Sequence, residues 1–436
     1  MIFKGILVTV LLTVFGQLLR LPVGGGAGVL LLDAWIPLLV CAWGFQKFWR
    51  WGQRKSFSFP KEIVLKPFFW GAIGFFGIAL GSLLWNAQYF DFFTLLESGF
   101  YLFRYSFLVL FAVVVMDEMN TPARIQIFLK TLVFSAGGLV LLGFLQLVFF
   151  PNFTVMQAQG WDPHINRLLS TWFDPNFFGG FLAFFLSLFF GVLLFSPLTK
   201  GVPHIPDFLK NKRDTFLGAL AVIFFLALLL TLSRSGFLSF LVVGFLFGIF
   251  FFRKLLAIGF LAILVLLPLF PHSFTRISEG VSSVFSVAQQ EESLFLPDAT
   301  ARLRVENMQE GIVMSQKNPW IGVGFNTLRF FRNQELHSSG GFDASLLTVL
   351  TTTGILGLGF FLFFWGGMAW EGMKTFKNTQ NTALHRGISL GFSIGSMGIL
   401  VHSFFVNTLF FPLFLVFFFG IFGLLHATGW RKDHIL

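Results

Sequence analysis

In GGFDASLLTVLTTTGILG, residues 340–357, one carboxylate, Asp343, stands directly before a long apolar run in a chain that is only 11% charged. A carboxylate at that point either caps the first helical turn that DASLLTVL begins or presents an acid at the mouth of a hydrophobic segment. His337 lies six residues earlier in ELHSSGGFD, on a Ser/Gly-rich stretch that can bend toward the same space or leave the imidazole solvated. The second group with chemical potential is a set of arginines: Arg167 in INRLLSTWF, Arg234 in LTLSRSGFLSF, and Arg302 and Arg304 in ATARLRVENM. A guanidinium stays charged at any physiological pH and its planar fork matches the oxygens of a diphosphate. Arg234 is the sharpest case, because it sits between two apolar runs with almost no loop. An unpaired charge at that depth costs about 2.5 to 3.5 kcal/mol or more, so an anionic partner is expected. The plainer alternative for each arginine is snorkelling to lipid headgroups.

The elements that hold these residues follow from composition. The chain has 436 residues, is 56% hydrophobic, contains 67 Phe and has a mean hydropathy of +0.80. A soluble globule of that composition would lack polar surface to cover itself, so an all-α, polytopic integral membrane protein is expected. Apolar runs long enough to cross roughly 30 Å of hydrocarbon as helices lie near 3–19, 28–46, 67–85, 98–116, 127–150, 176–196, 215–233, 236–252, 255–271, 344–368, 387–405 and 407–426. These are twelve expected spans. The close pairs at 233/236 and 405/407 are each a tight hairpin or one broken helix.

The net charge of +10 does not indicate nucleic acid, because the Lys and Arg residues follow the positive-inside rule. With both termini inside, nineteen of the thirty fall on inner segments and nine outside, while Arg104 and Lys130 fall within spans. Arg104 is deep enough to require a partner that the sequence does not name. No small-residue cleavage site follows the first span, which is therefore expected to remain as a signal anchor. The single Cys41 lies within a span and excludes an internal disulfide framework. The expected organisation is one membrane domain, 1–436, with a short exported segment at 151–175 and a large exported loop at 272–343 between spans 9 and 10. Within that loop Val305, Met308 and Ile312 form an apolar stripe on an amphipathic helix, which Pro319 ends; Gly322 and Gly324 then allow a tight reversal.

Several stretches together resemble the O-antigen ligase and polymerase superfamily, membrane glycosyltransferases of the GT-C-like kind that use undecaprenyl-diphosphate-linked glycans at the outer face of the bacterial plasma membrane. RLLSTWFDPNFFGGFLAF resembles the family's Arg followed by a P-N-x-x-G helix start, and TLSRSGFLSF its Ser-Arg-Gly step. RVENMQEGIVMSQKNPWIGVGF resembles the helix leading into P-x-x-G-x-G. DASLLTVLTTTGILG resembles the ligase motif of His, a small polar residue, nine residues and G-x-x-G, with Asp343 where ligases have histidine. The resemblance covers roughly 150–426.

It implies transfer of a glycan from an undecaprenyl-diphosphate donor to a hydroxyl of a glycan, lipid or protein acceptor, as ligase or polymerase. The chain has no D-x-D pair, so the transfer is expected to need no metal or other cofactor. Asp343, or else His337, would take the acceptor proton. Arg167, Arg234 and Arg304, with Arg302 one helical step away, would grip the diphosphate. Trp161, Trp172 and Trp320 are candidates either to stack on sugars or to anchor at the interface. His402 and Asn407 either line the same cavity or hydrogen-bond between helices. The competing class is a transporter or flippase of lipid-linked oligosaccharide, which would also need twelve spans and a basic lumen. Charge gathered in one exported loop, without visible half-repeats, favours surface chemistry over passage.

Overall fold

A computed structural model of the chain describes residues 1–22, 28–54, 66–159, 161–195, 212–251, 299–331 and 341–430. The ninth expected span, His337 and Arg332 lie outside the described residues. The helices are α1 (Ile2–Phe15), α2 (Leu31–Arg54), α3 (Pro67–Trp85), α4 (Phe92–Glu118), α5 (Pro122–Phe149), α6 (Pro175–Leu194), α7 (Lys212–Thr231), α8 (Arg234–Phe251), α9 (Ala299–Lys317), α10 (Leu328–Phe331), α11 (Ser345–Lys377), α12 (Ala383–His402) and α13 (Pro412–Leu425). A small antiparallel hairpin, β1 (Arg20–Pro22) and β2 (Gly28–Leu30), joins α1 to α2. Eight of the described segments are long and apolar enough to cross a membrane; the apolar parts of α8 and α13 are shorter, and α2 carries more polar groups.

The fold is a helical bundle centred on α6 and α12. Of the apolar window in α6, 78% is buried, and 72% in α12, against 33–39% in the other six segments. Lipid does not drive helices together, so close association relies on small residues that let backbones touch. Gly191 of α6 and Gly387 and Gly391 of α12 meet in this way, and a Cβ on any of them would overlap the opposite backbone. α6 also packs against both α7 and α8, so those two helices form a V around it and not a closed hairpin. Aromatic rings fill the remaining space: Phe75, Phe361 and Phe410 stack in sequence, with Tyr105 against both Phe75 and Phe410.

Arg104 finds its partner in Asp33 at the start of α2. The guanidinium donates to both carboxylate oxygens, one of which also accepts Leu30 N at 2.7 Å. At the end of the bundle formed by the C-termini of α4 and α13 and the N-terminus of α3, the charges pair as Lys47–Asp117 at 2.6 Å, Arg124–Glu118 at 3.0 Å, and Lys66 and Lys374 with Glu371 at 3.1 and 3.0 Å.

Helix α9 forms as expected; Met308 and Ile312 of its apolar stripe are exposed, while Gly311 and Met314 are buried. Close approach decides the orientation, since Thr351 Oγ1 donates to Gly311 O at 3.2 Å and Leu347 fills the place of the missing side chain. Trp172, a candidate for sugar stacking, is fully buried among Phe178, Phe181 and Phe411, with Nε1 donating to Thr13 O at 3.2 Å. It is a core residue.

Candidate active site

The ends of α6, α7, α8, α11 and α12 meet at one pole of the bundle, and the chain reaches them through strained turns. Asn166, Ser170 and Phe173 in the segment before α6, and Leu232 between α7 and α8, all hold left-handed backbone conformations without being glycine. Such residues cost of order 1–3 kcal/mol each and persist where neighbouring contacts over-determine them. Those contacts run between the two strained segments. Leu168 N donates to Leu230 O at 2.9 Å, and Arg167 Nε donates to Thr231 O at 2.9 Å. Arg167 Nη2 reaches Leu232 O at 3.4 Å and Asn176 Oδ1 at 3.3 Å. The guanidinium therefore satisfies the last carbonyls of α7, where the helix dipole is negative. Its Nη1 lies 3.4 Å from His164 Nδ1, which must act as acceptor because arginine only donates. The sequence pointed to Arg167 as a diphosphate ligand; the fold buries it and engages it as an organiser of the pole.

Asn176, on the first turn of α6, is the hub. Its Oδ1 also accepts from Ser233 Oγ at 3.2 Å, and its N–H donates to Asp174 Oδ1 at 2.6 Å, capping α6. Burial pushes the Asp174 carboxyl up to about 6, against the opposing pull of the Asn176 amide and the Arg167 charge. Asn176 O accepts from His402 Nε2 at 3.1 Å at the end of α12. A carbonyl can only accept, so Nε2 carries the proton and Nδ1 accepts from Thr408 Oγ1 at 2.8 Å. His402 is fully buried and takes the interhelical bonding role, with Gly180 leaving room for the ring.

Arg234 is the first residue of α8 and half-buried, one residue beyond Ser233. Its neighbour Ser235 donates to Ser233 Oγ at 3.2 Å, so the Ser-Arg-Ser turn is held from both sides. Asp343 is exposed and lies one residue before the N-cap, Ala344, which makes no side-chain capping bond. The first amide of α11 is taken by an interhelix contact: Ser345 N donates to Ser403 O at 2.9 Å, next to His402. A chain of hydrogen bonds therefore links the start of α11, beside Asp343, through the end of α12 and Asn176 to Arg167 and the α7–α8 turn.

Arg302 and Arg304 lie on the first two turns of α9. α9 and α11 run in the same direction, since Gly311 lies by Leu347 and Pro319 by Ile355. Arg304 lies two turns before Gly311 on the same helix.

Further along, α11 is broken. Gly354 has φ +67° inside the helix, and the backbone groups released there are taken up by the loop after α9. Val323 N and Gly324 N donate to Thr351 O and Thr352 O at 3.0 and 3.2 Å, and Ile355 N and Leu356 N donate to Pro319 O and Trp320 O at 2.8 and 3.3 Å. Asn86 and Ser82 of α3 add bonds to Gly322 O and Thr352 O. The two glycine motifs seen separately in the sequence are the two halves of one joint. Arg329, another arginine expected on the exported side, pairs through Nη1 with Glu97 at 2.8 Å beside the Tyr101 ring. Trp320 is exposed at the joint and Trp161 packs on Phe173 under Arg20.

Among the described residues no three His, Cys, Asp or Glu side chains stand close enough together to hold a metal ion. No curated protein matches the chain. Residues 219–362, from α7 to beyond the break in α11, match the family model described as O-Antigen ligase. The match encloses Arg234, Arg302, Arg304, Asp343 and both halves of the glycine joint, while Arg167 precedes it. The chain is a membrane-type helical protein whose residues 219–362 are similar to the O-antigen ligase family.

Proposed function

We propose that this protein transfers a glycan from an undecaprenyl-diphosphate carrier to an acceptor hydroxyl at the exported face of a bacterial plasma membrane, without a metal ion. The observation that carries the reading is the single pole at which Arg234 on the α7–α8 turn and Asp343 at the mouth of α11 are held by one hydrogen-bonded framework through Asn176 and His402. Asp343 is exposed there and accepts the acceptor's hydroxyl proton as the oxygen attacks the anomeric carbon. The new C–O bond forms on the face opposite the diphosphate, so the anomeric centre inverts. The old bond breaks with its electron pair on the diphosphate oxygen, and Arg234, with Arg304 from α9, stabilises that charge. Arg167 acts through the backbone it holds. It fixes the turn from which Arg234 projects.

The direct test is glycan transfer from an undecaprenyl-diphosphate oligosaccharide by the purified full chain in proteoliposomes, with chelator present. Asp343→Asn is expected to lower turnover by about 10²- to 10⁴-fold, and Arg234→Ala by about 10²- to 10³-fold, with the unfolding midpoint unchanged. Turnover by Asp343→Asn equal to the parent would remove the base from this carboxylate. Loss of transfer in chelator that added Mg²⁺ restores would end the metal-free reading.

A further inference from the structure

At the pole opposite the candidate site, a cavity of about 440 Å³ opens between α3, α4, α11 and α13. Its α3 and α4 lining comes from residues 68–76 and 106–116, the halves of those helices remote from their connection at 86–91. The walls are almost wholly apolar, with Phe76, Val113, Phe364 and Phe422 among them. The polar groups concentrate at one end, where Lys66 and His426 stand. Counted along α11, Met368 in the wall is 23 residues past Ser345, about 34 Å at 1.5 Å per residue. That is the thickness of the hydrocarbon core, so the cavity belongs to the leaflet opposite the candidate site.

Charge and shape restrict what fits. Glu371 is a buried carboxylate shared by two ammonium groups, Lys66 and Lys374, which leaves one positive charge in excess at the mouth. Lys66 donates to His426 Nδ1 at 2.9 Å, so the imidazole carries its proton on Nε2. That buried N–H has no acceptor among the described residues. The mouth thus offers positive charge and a spare donor, and takes an anionic group rich in acceptors. A helix of 10–12 Å diameter fills about 400–600 Å³ per 5.4 Å turn, so the cavity holds scarcely one turn of helix but ample hydrocarbon chain. We infer that this slot binds one anionic glycerophospholipid of that leaflet, with an acyl chain between α3 and α4 and its phosphate at Lys66 and His426. The site is distinct from the donor site proposed above and does not depend on it.

The test is native mass spectrometry of the full chain in mild detergent with phosphatidylglycerol or phosphatidylcholine of identical acyl chains. One phosphatidylglycerol per chain is expected to survive activation, retained about fivefold over phosphatidylcholine. Val113→Trp, which fills the slot, should abolish retention. Ile73→Trp should do the same from a half-exposed position on α3 that tolerates bulk. Lys66→Gln should keep the lipid but lose the preference. Equal retention of the two lipids overturns the assignment of an anionic headgroup. Full retention by a folded Ile73→Trp or Val113→Trp means annular lipid only, and displacement of phosphatidylglycerol by undecaprenyl phosphate would give the slot to a polyprenyl chain.

Discussion

The two sides of the candidate pole solve one problem with different materials. Both must satisfy backbone groups released where helices end or break at membrane depth, where no water replaces the missing bonds. On the α6–α7–α8 side the partners are side chains: Arg167 on the carbonyls of Thr231 and Leu232, Asp174 on the amides of Asn176 and Phe177, and His402 on Asn176 O. On the α9–α11 side they are mainly backbone groups, four hydrogen bonds between residues 319–324 and 351–356, to which the side chains of Ser82 and Asn86 add one each. Side chains can be changed singly and leave the chain path in place. A backbone joint admits no side chain where its two backbones touch, at Gly322 and Gly354, so it makes rigidity and not adjustable chemistry.

That contrast is broken most severely at Gly354. A Cβ there would overlap the Trp320 carbonyl, and φ +67° adds about 1–2 kcal/mol for any L-residue. Gly354→Val is expected to yield no folded protein, and Gly322→Val, facing the Thr352 backbone across the same joint, should match it. Folded yield by size-exclusion chromatography in detergent checks both. A normal elution profile for Gly354→Val would mean that the joint opens without cost.

The other side should yield more gradually. Arg167→Ala strands the Thr231 and Leu232 carbonyls and leaves Asn176 Oδ1 with Ser233 alone, and a lost buried acceptor costs about 1–3 kcal/mol. A loss of about 3–5 kcal/mol is expected, seen as a lower unfolding midpoint and lower turnover together. Arg167→Lys keeps the charge but not the fork and should recover only part of the stability. If Arg167→Ala lost turnover at unchanged stability, the guanidinium would be a direct diphosphate ligand after all.

The same contrast explains what was legible in the sequence. Apolar length and the sparseness of charge pointed to a membrane protein, and eight of the twelve expected spans are long apolar helices among the described residues, because each depends on a local run; Arg234 stood out because no loop surrounds it. The G-x-x-G of α11 and the P-x-x-G-x-G after α9 were visible as motifs, but their meeting was not, since backbone-to-backbone bonds leave no trace in side-chain type. The partner of Arg104 was hidden for a related reason: Asp33 is 71 residues away on another helix. The stripe on α9 left its docking face open, because periodicity reports which residues are apolar, while the face that packs most closely is the one at Gly311. The role of Arg167 depended on the left-handed turn at Leu232, a residue with no intrinsic preference for that conformation.

The smallest effect probes how the side-chain half stores charge. Asp174 caps α6 from a buried position that raises its carboxyl to about 6 from an ordinary value near 4. Because the native pKa lies above the unfolded one, the native state holds the proton more tightly between those values. Its contribution to stability is complete below pH 4 and is lost as pH rises through 6. From pH 7 to pH 5 this one group should add about 1 kcal/mol of stability. Asp174→Asn keeps an oxygen to accept from the Asn176 and Phe177 amides but cannot titrate, so the variant should lose that increment while remaining folded. The comparison is the difference in unfolding midpoint between parent and Asp174→Asn at the two pH values. If the difference does not change, the carboxylate is already neutralised by Arg167, and the two sides of the pole are more alike in rigidity than their materials suggest.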